Sequence, residues 1–400
     1  MKIAPDTQRS AVVSDALGTN QSGMRAQNEQ LVLTLIRRHG ALSKSEIARL
    51  TQLSAQTVSV IMRSLEDEGF LLRGEPQRGR VGQPSVPMTL NPRGAFFFGL
   101  KIGRRSVEVV LADFLGQILD RRMQIHAYPD YDAVLRFALE TVAALAAGLP
   151  KAEQDRIAGL GIAMPFKLWD WAPVIGVAPQ TMAAWKTRDI TQDLAERLAL
   201  PIFVQNDATA ACSAELVFGA GERAPDFVHF YIAFFVGGGV VLDGRLFQGR
   251  SGNAGALGSM PVPDRAGHIR QLIELASLAV LEARVIEAGL DPALLWNSPD
   301  HWDLPPDLVD SWVDQAAEGI AHAIHAALAV IDLPVVKIDG WMPADLRTKI
   351  ATRVREKLAG LDLTGLDVPA IQEGTMGPDA RAIGAASQPL LARFIMGYTR

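Results

Sequence analysis

Two stretches with the hydrophobic spacing of helices lie close together near the start of the chain, between residues 41 and 72. In the first, Ser43 precedes Glu46 by three residues, the capping-box spacing of a helix start, and Ile47 and Leu50 form the predicted buried stripe. The second stretch is apolar at helical spacing at Val58, Ile61, Met62 and Leu65. The pattern therefore predicts two helices joined by a very short turn.

The second helix leaves polar side chains on its open face. Behind Ser54 at its cap, these are Gln56, Thr57, Ser59 and Arg63. Gly69 stands where a left-handed residue ends many helices. Such a pair is typical of a helix-turn-helix that places its second helix in the major groove of DNA. An ordinary helical hairpin has the same local pattern, so these residues alone leave both interpretations open.

The residues that follow favour DNA binding. A basic, glycine-rich run over 73–84 separates Leu71 and Leu72 from alternating apolar positions at 86, 88 and 90, which predicts two short strands around a turn, a wing. Within this run, Arg78 and Arg80 resemble a hook that lays arginines along a minor groove. A flexible linker with solvated charges is the alternative.

Flanking segments complete this head. Residues 27–39 carry an apolar helical stripe that would close a three-helix core. Residues 1–23 are polar and lack a period, which predicts a disordered tail. Turn-forming residues at 91–94 indicate a domain boundary.

Beyond this boundary, strands alternate with helices. Strands are predicted over 95–102, 106–113, 116–125, 157–164 and 202–205, with helices over 131–148 and 190–198. Asn206 and Asp207 precede a further helix that ends at Phe218. Strands over 228–235, 239–242 and 335–338 then follow among helices. Two α/β halves in series predict two lobes with a cleft between them.

Charge is distributed unevenly along the 400 residues. Up to Arg93, twelve Lys and Arg residues stand against eight acids, a net charge of +4, whereas the remainder carries −9. A basic head on an acidic body indicates that only the head contacts phosphate. Cys212 is the only cysteine, which excludes an internal disulfide and a multi-cysteine metal site. Because no leader pattern or bilayer-length apolar run is found, we expect a cytoplasmic protein with no membrane partner.

Four segments together resemble the ROK family, which comprises sugar-responsive repressors, open reading frames and sugar kinases. They are the winged head, VQNDATAA at 204–211, VLDGRLFQGRSGNAGALG at 241–258 and GPDARAIGAA at 377–386. The resemblance implies an α/β fold class, with an N-terminal winged helix-turn-helix followed by a two-lobed actin-like (ribonuclease H-like, sugar-kinase) fold. The expected division is a tail (1–23), the head (24–92), lobe I (93–213, to which 378–400 returns) and lobe II (214–377).

Kinases of the family use motifs that this chain has changed. An Asp-x-Gly-x-Thr motif after the first strand serves ATP and its metal, and a Gly-Thr-Gly loop in the second lobe binds phosphate. The corresponding positions here are 101–105, which begin with Lys101, and Ala233-Phe234-Phe235. The adenine-side glycines correspond to Asp339-Gly340-Trp341. These changes imply that the chain binds no ATP and is not an enzyme, and they leave Arg104 and Arg105 as candidates for holding an anion.

The pair Asn206-Asp207 matches the position of the catalytic base of the kinases. Without a phosphoryl donor, the resemblance implies that Asn206 and Asp207 bind an effector, together with Gln180 at the place of a sugar-binding asparagine; Asp207 as a helix cap is the alternative. The family's sugar-binding glutamate and zinc-binding histidine correspond to positions within 256–259, which contain neither type. Its three zinc-loop cysteines and the glutamate after them correspond to 261–273, which contain neither cysteine nor glutamate. We therefore expect no metal or cofactor, and a solvated loop position for His268.

These observations predict a transcriptional regulator of carbohydrate transport and metabolism genes that acts as a repressor. Its predicted partners are a double-stranded DNA operator and a sugar or sugar derivative, and a homodimer or homotetramer is expected to hold two heads on one operator. The predicted DNA contacts are Ser54, Gln56, Thr57, Ser59, Arg63, Arg78 and Arg80. Two alternatives remain open: a sugar kinase with a DNA-binding appendage, and a ligand-independent DNA-binding protein with an empty cleft.

Overall fold

The computed structural model of the chain describes residues 21–76, 85–172, 176–220 and 224–396. Its N-terminal part is a three-helix head closed by a small sheet. The helices are α1 (Gln21–His39), α2 (Lys44–Thr51) and α3 (Ala55–Asp67), and the strands are β1 (Ala41–Leu42), β2 (Leu71–Arg73) and β3 (Met88–Leu90). The central strand β3 pairs antiparallel with the other two. The head is therefore a winged helix-turn-helix, as predicted.

Polar caps define the turn between α2 and α3. The Ser43 amide donates to the Glu46 carboxylate at 2.8 Å, and the Glu46 amide donates to Ser43 Oγ at 3.4 Å, which confirms the capping box. Gly69 has the left-handed conformation predicted for the end of α3, with φ at 79°. The prediction for Leu50 is wrong: its side chain is 42% exposed, because the eight-residue α2 buries only Ile47 and leaves its last turn outside the core.

The ends of the head differ from the prediction in one respect. Helix α1 begins at Gln21 rather than at residue 27, so the last three residues of the predicted disordered tail are helical. Residues 1–20 of that tail lie outside the described residues, as does the tip of the wing with Arg78 and Arg80.

The first body sheet has five strands in the order β6-β5-β4-β7-β8. The strands are β4 (Phe96–Ile102), β5 (Ser106–Ala112), β6 (Ile118–Ile125), β7 (Ile157–Ala163) and β8 (Ile202–Gln205). Its helices are α4 (Tyr131–Ala147), α5 (Lys151–Gln154), α6 (Ala184–Thr187) and α7 (Ile190–Ala195). Every residue of β4 is buried, because this strand is central and covered on both faces.

The second body sheet follows α8 (Asp207–Phe218) and has the order β11-β10-β9-β14-β15. Its strands are β9 (Phe227–Ile232), β10 (Val236–Leu242), β11 (Arg245–Phe247), β14 (Val335–Gly340) and β15 (Ala370–Glu373), and β12 (Pro261–Pro263) with β13 (Ile269–Gln271) forms a separate ribbon. The helices are α9 (Ile273–Ala276), α10 (Leu278–Glu287), α11 (Pro306–Leu328), α12 (Ala344–Ala359) and α13 (Ala380–Arg393). The sequence pattern predicted the two halves but not β11, β12, β13 or β15.

Two helices, α8 and α13, fill the space between the two body sheets. Helix α8 packs on β10 of the second sheet, α13 packs on β4 and β7 of the first, and the two helices pack on each other. Gly384 permits this close approach, since a β-carbon there would lie 1.8 Å from the carbonyl oxygen of Ala210. The first residues of both helices consequently meet between the sheets.

The head shares a hydrophobic core with the first body sheet. Phe70 of the head lies 5.8 Å from Phe114 and 5.1 Å from Phe394, measured between ring centroids, and Phe97 of β4 lies 6.0 Å from Phe394. The amide of Met396, beyond α13, also donates to Thr34 Oγ1 of α1 at 3.0 Å. The head is thus packed against the body, rather than tethered by the turn at 91–94 alone.

No helix among the described residues is long and apolar enough to cross a membrane.

Candidate effector cleft and nucleic-acid interface

A cleft of about 650 Å³, which we call the main cleft, opens between the two body sheets. One wall comes from the segments that follow β4, β7 and β8, including Arg104, Phe166 and Lys167. The opposite wall comes from the turn between β9 and β10 and from the loop around Asn253. The cleft lies where the predicted lobes face each other, and Asn206 and Asp207 both line it.

Asn206 and Asp207 have different tasks at the start of α8. The oxygen Oδ1 of Asn206 accepts from the amides of Ala208 at 3.1 Å and Thr209 at 3.4 Å, so Asn206 is the helix cap. The sequence alternative that assigned the cap to Asp207 is therefore wrong. The Asp207 carboxylate is left to face the cleft.

The Asp207 carboxylate has one cationic partner. The guanidinium of Arg381, at the start of α13, donates to it at 3.4 Å and lies 5.6 Å from the centroid of the Tyr231 ring. Burial opposes the charge of Arg381, yet the neighbouring Tyr231 and Asp207 raise the pKa of this guanidinium above its ordinary value. The cleft thus contains a carboxylate that can accept hydrogen bonds beside a permanent cation.

Gln180 does not join this group. It is exposed in the short 3₁₀ helix Pro179–Met182 and is not among the residues that line the main cleft. Of the three predicted effector contacts, Asn206 and Asp207 therefore line the main cleft. An effector contact of Gln180 would require movement of its loop.

The position that carries the first kinase carboxylate holds an internal ion pair. Lys101 on β4 lies 3.0 Å from the carboxylate of Glu108, its cross-strand partner on β5, and both side chains are less than 10% exposed. Burial lowers the pKa of the Lys101 ammonium below its ordinary value, despite the attraction of Glu108. Lys101 thus has its counter-charge, Glu108, within its own sheet.

Arg104 and Arg105 reach across to the second half of the body. Both pair with Glu282 of α10, Arg104 at 3.8 Å. The Arg104 guanidinium also lies 4.0 Å from the centroid of Phe234, and that of Arg105 lies 5.0 Å from Trp296. The two arginines therefore connect the two halves instead of standing open.

Larger side chains stand at the two positions that the family resemblance matches with glycine-rich loops of the kinases. Phe234 is 9% exposed and packs on Phe235 at a centroid distance of 4.7 Å. Asp339 is fully buried at the end of β14, where it accepts from the Gly377 amide at 2.8 Å and pairs with Arg347 at 3.1 Å. Both places are filled by side chains of the chain itself.

Among the described residues, one group offers three potential metal ligands. Atoms of Glu215, His229 and Asp339 lie within 4.8 Å of one another in the interior. Lys337, however, already pairs with Glu215 at 2.7 Å, just as an arginine pairs with Asp339. These carboxylates therefore already have cationic partners. His268 is a solvated loop residue, as expected, with 73% of its side chain exposed.

The outer face of α3 is open in the head. Gln56 and Arg63 are exposed, Thr57 and Ser59 are partly exposed, and Val60 between them is 58% exposed. Ser54 and Thr57 exchange a hydrogen bond of 2.8 Å between their hydroxyls at the start of the helix. Ser59 accepts from the Lys44 ammonium of α2 at 3.3 Å. The surface is polar at its start, as a base-reading helix requires.

Sequence reasoning missed several residues of these surfaces. Lys44 carries a charge beside α3 but belongs to the preceding helix, and Arg381 lies far along the chain within the GPDARAIGAA run. Tyr231, Phe166 and Lys167 carry no local signal for the cleft. Of these residues, only Arg381 lies in a motif identified in the sequence, and its role depends on which helix packs against α13.

Comparisons with known proteins agree with this architecture. Residues 97–270 match the model of the ROK family, and residues 27–76 match that of the MarR family. The chain is 26% identical to the uncharacterized protein y4fQ of Sinorhizobium fredii over 92% of both chains, and 23% identical to the xylose repressor of Caldicellulosiruptor bescii over 77% of this chain and 78% of that protein.

Solved structures give the same fold. A ROK family transcriptional regulator, described as a homolog of the Escherichia coli MLC protein, superposes with a TM-score of 0.66 at 21% identity, covering 93% of this chain and 97% of that one. The winged head and the two-lobed, sugar-kinase-like body therefore have the same fold as that protein over nearly its whole length. With a MarR-type segment at 27–76 in front of a ROK-type segment at 97–270, the chain is similar to ROK family regulators that carry a DNA-binding head.

Proposed function

We propose that this protein is a DNA-binding transcriptional regulator, a repressor of carbohydrate transport and metabolism genes, whose main cleft binds a sugar or sugar derivative. The observation that carries the proposal is the combination of an open, capped α3 in a winged head with a body that shares a hydrophobic core with the head and has a polar cleft between its two sheets. The similarity to repressors along most of the chain supports it.

In the proposed complex, α3 lies in the major groove of the operator. Gln56 suits adenine and Arg63 suits guanine or phosphate, while Ser54, Thr57 and Ser59 contact phosphates or base edges. Arg78 and Arg80 of the wing would enter the adjacent minor groove. A homodimer or homotetramer would set two heads on a pseudo-palindromic operator.

In the main cleft, Asp207 accepts hydrogen bonds from hydroxyl groups of the effector, and the amide nitrogen of Asn206 is available to donate. Effector binding changes the angle between the two halves of the body and thereby the spacing of the heads. Such a change requires that the effector bind the two states with different affinities. The shared aromatic core supports this coupling, because a body movement near Phe97 would reach Phe70 through Phe394.

The second candidate function is a sugar kinase, favoured by one observation, the Asp207 carboxylate facing the cleft. Three features oppose it. Lys101 and Glu108 occupy the metal position as an ion pair, Arg104 stacks on Phe234 where phosphates would approach, and Asp339 is buried by its own partners. A base without a phosphoryl donor transfers nothing. We therefore infer that the chain is not an enzyme.

The test begins with the DNA sites that the full-length protein occupies across its own genome. A duplex from those sites is then titrated with wild type, Gln56→Ala and Arg63→Ala, and Arg353→Ala on the remote α12 is the matched control. We expect both head variants to bind weaker while the control and all melting temperatures stay unchanged. Equal binding by all four proteins, or no occupied sites, would contradict the proposal.

The cleft is tested on the same proteins by thermal shift over monosaccharides and their phosphates, and by incubation with ATP, Mg²⁺ and each sugar. A stabilising sugar that alters operator affinity supports the regulator. Formation of a phosphorylated sugar would establish the kinase instead. Stabilisation by no sugar would point to the ligand-independent DNA-binding protein.

A further inference from the structure

A second, smaller cavity adjoins the main cleft. This side cavity measures about 280 Å³ and is bounded by the strand ends of β4 to β6 on one side and by Trp296 and Trp341 on the other. It shares Gly103, Arg104, Phe234 and Arg381 with the main cleft. The main cleft therefore lies directly behind Arg104 and Arg381. The proposed sugar site does not account for it.

The walls of the side cavity carry hydrogen-bond donors that have no acceptor. The Nε groups of Arg104, Arg105 and Arg381 and the Nε1 group of Trp296 are buried and lack a hydrogen-bond partner among the described residues. Each is a donor only, and no buried side-chain acceptor that lines the cavity is left unpaired. Buried donors without acceptors are uncommon in native proteins. Each of these atoms has less than 1 Å² of accessible surface, so a ligand that supplies oxygen atoms would satisfy them once the side chains turn towards the cavity.

The charge of the cavity has the same sign as these donors. Lys101, Arg104, Arg105 and Arg381 line it, and none of the described residues that line it is acidic. The nearest carboxylates are shared or used elsewhere: Glu282 serves two arginines, and Glu108 serves both Lys101 and Arg121. An anion in the cavity would therefore meet guanidinium groups that share their carboxylate partners, and no acidic residue of the described lining would repel it.

The remaining wall combines apolar side chains with the polar residues Ser106, His126 and Asn297. Met123 and Ile125 of β6 lie at the rim, where they are 53% and 76% exposed, and the ring of Trp341 lies inside. The volume lies just below the roughly 300–1,000 Å³ of most ligand pockets, and the stacked Arg104 and Phe234 divide it from the main cleft. The space thus suits a compact molecule rather than a nucleoside triphosphate.

We propose that the side cavity binds a small organic anion, a molecule with one carboxylate or phosphate group and a flat apolar body. The oxyanion would accept from the guanidinium groups of Arg104, Arg105 and Arg381 and from Trp296, and the apolar body would lie against Trp341 and Met123. Because Arg381 also holds Asp207, the anion would share a residue with the sugar site. The proposal is independent of the operator and of the identity of the sugar.

The test uses the full-length protein and five probes at constant ionic strength. Benzoate and phenyl phosphate carry the two anionic groups, benzamide and benzyl alcohol are their neutral counterparts, and inorganic phosphate lacks the apolar body. We expect at least one aryl anion to stabilise the protein and to bind in calorimetry, and the better of the two identifies the oxyanion. Neither neutral probe should do so.

Two variants locate the binding. Trp296→Phe removes one donor and keeps a ring, and Arg105→Lys keeps the charge but removes the Nε donor. Loss of one charge-assisted hydrogen bond should weaken the aryl anion by about tenfold. Trp302→Phe and Arg353→Lys, which change the same residue types away from the cavity, should leave affinity unchanged.

Four results would overturn the proposal, three of them from the comparison of probes and variants. These three are equal stabilisation by charged and neutral probes, stabilisation by inorganic phosphate as strong as by the aryl anions, which indicates an adventitious ion only, and affinity that survives in both cavity variants. Failure of both aryl anions to bind would likewise overturn it, without touching the DNA-binding function.

Discussion

The Asp207 carboxylate lies 3.4 Å from a guanidinium nitrogen of Arg381, although 174 residues separate them in the sequence. The pair joins the first turns of α8 and α13, the two helices that fill the space between the body sheets. It places a carboxylate acceptor beside a guanidinium in the main cleft. The carboxylate at the position of the kinases' catalytic base therefore pairs with Arg381 in this chain.

The first prediction concerns this pair. Asp207→Asn keeps the shape of the side chain and removes its charge, so Arg381 loses its partner in a setting where both side chains are less than 20% exposed. We expect a loss of about 1–3 kcal/mol in the free energy of unfolding and the disappearance of stabilisation by the effector sugar. Urea denaturation with and without the sugar measures both. An unchanged sugar response would remove Asp207 from the effector site.

The second prediction concerns the cap of α2 and its dependence on pH. Hydrogen bonds from Ser43, side chain first and backbone second, lower the pKa of the Glu46 carboxyl below its ordinary value of 4.5. The folded head therefore gains stability that is present above pH 4.5 and is lost as the pH falls through the lowered pKa. Ser43→Ala should raise this pKa towards 4.5 and cost about 1 kcal/mol at neutral pH.

A carboxyl titration followed by NMR, together with denaturation at several pH values, measures this effect. Ser298→Ala, at a serine in a surface loop of the body, is the control and should leave the pKa of Glu46 unchanged. If Glu46 titrates identically in wild type and Ser43→Ala, the capping box contributes nothing to the acid stability of the head.

The third prediction concerns the aromatic core that joins head and body. Phe394 is 4% exposed and contacts Phe70, Phe97 and Phe114. Phe394→Leu should cost about 1–1.5 kcal/mol and keep the fold, whereas Phe394→Ala should cost about 3–5 kcal/mol. If the core transmits the effector signal, the leucine variant should still bind operator but should change its operator affinity less when sugar is added.

Anisotropy titrations with and without sugar report this coupling. Phe247→Leu, a substitution at a ring that is 40% exposed on β11, is the control for a general loss of phenylalanine area. A full sugar response in Phe394→Leu would show that the signal reaches the head by another path.

Local patterns predicted the head and much of the body, because their causes lie within a few residues. Ser43 and Glu46 cap within one turn, and Gly69 needs only its own left-handed backbone. The same logic failed for Leu50, whose burial depends on how far α2 extends over the core. The spacing of apolar residues in the sequence carries no information on how far the helix extends over the core.

The candidate site divides in the same way. Asn206 and Asp207 were proposed because they match a motif of the family's kinases, but the choice of the capping residue depends on backbone angles. The partners of Arg104 and Arg105 lie on α10 and in the loop near Trp296, and Arg381 comes from the other end of the chain. Such long-range pairs leave no periodic trace in the sequence.

The last prediction concerns Glu282, the carboxylate that pairs with both Arg104 and Arg105 at the side cavity. Its side chain is 8% exposed, and Glu282→Gln keeps its size while removing its charge. Arg104 and Arg105 would then lack a counter-charge, so the free energy of unfolding should fall by about 1–3 kcal/mol in probe-free buffer. An aryl anion that binds the same guanidinium groups supplies the missing charge and should therefore stabilise this variant more than wild type. Urea denaturation with and without the better aryl anion measures the difference, and Glu356→Gln, in an exposed pair with Arg353, is the control. If the anion stabilises Glu282→Gln less than wild type, then Glu282 helps to form the anion site instead of competing with the anion.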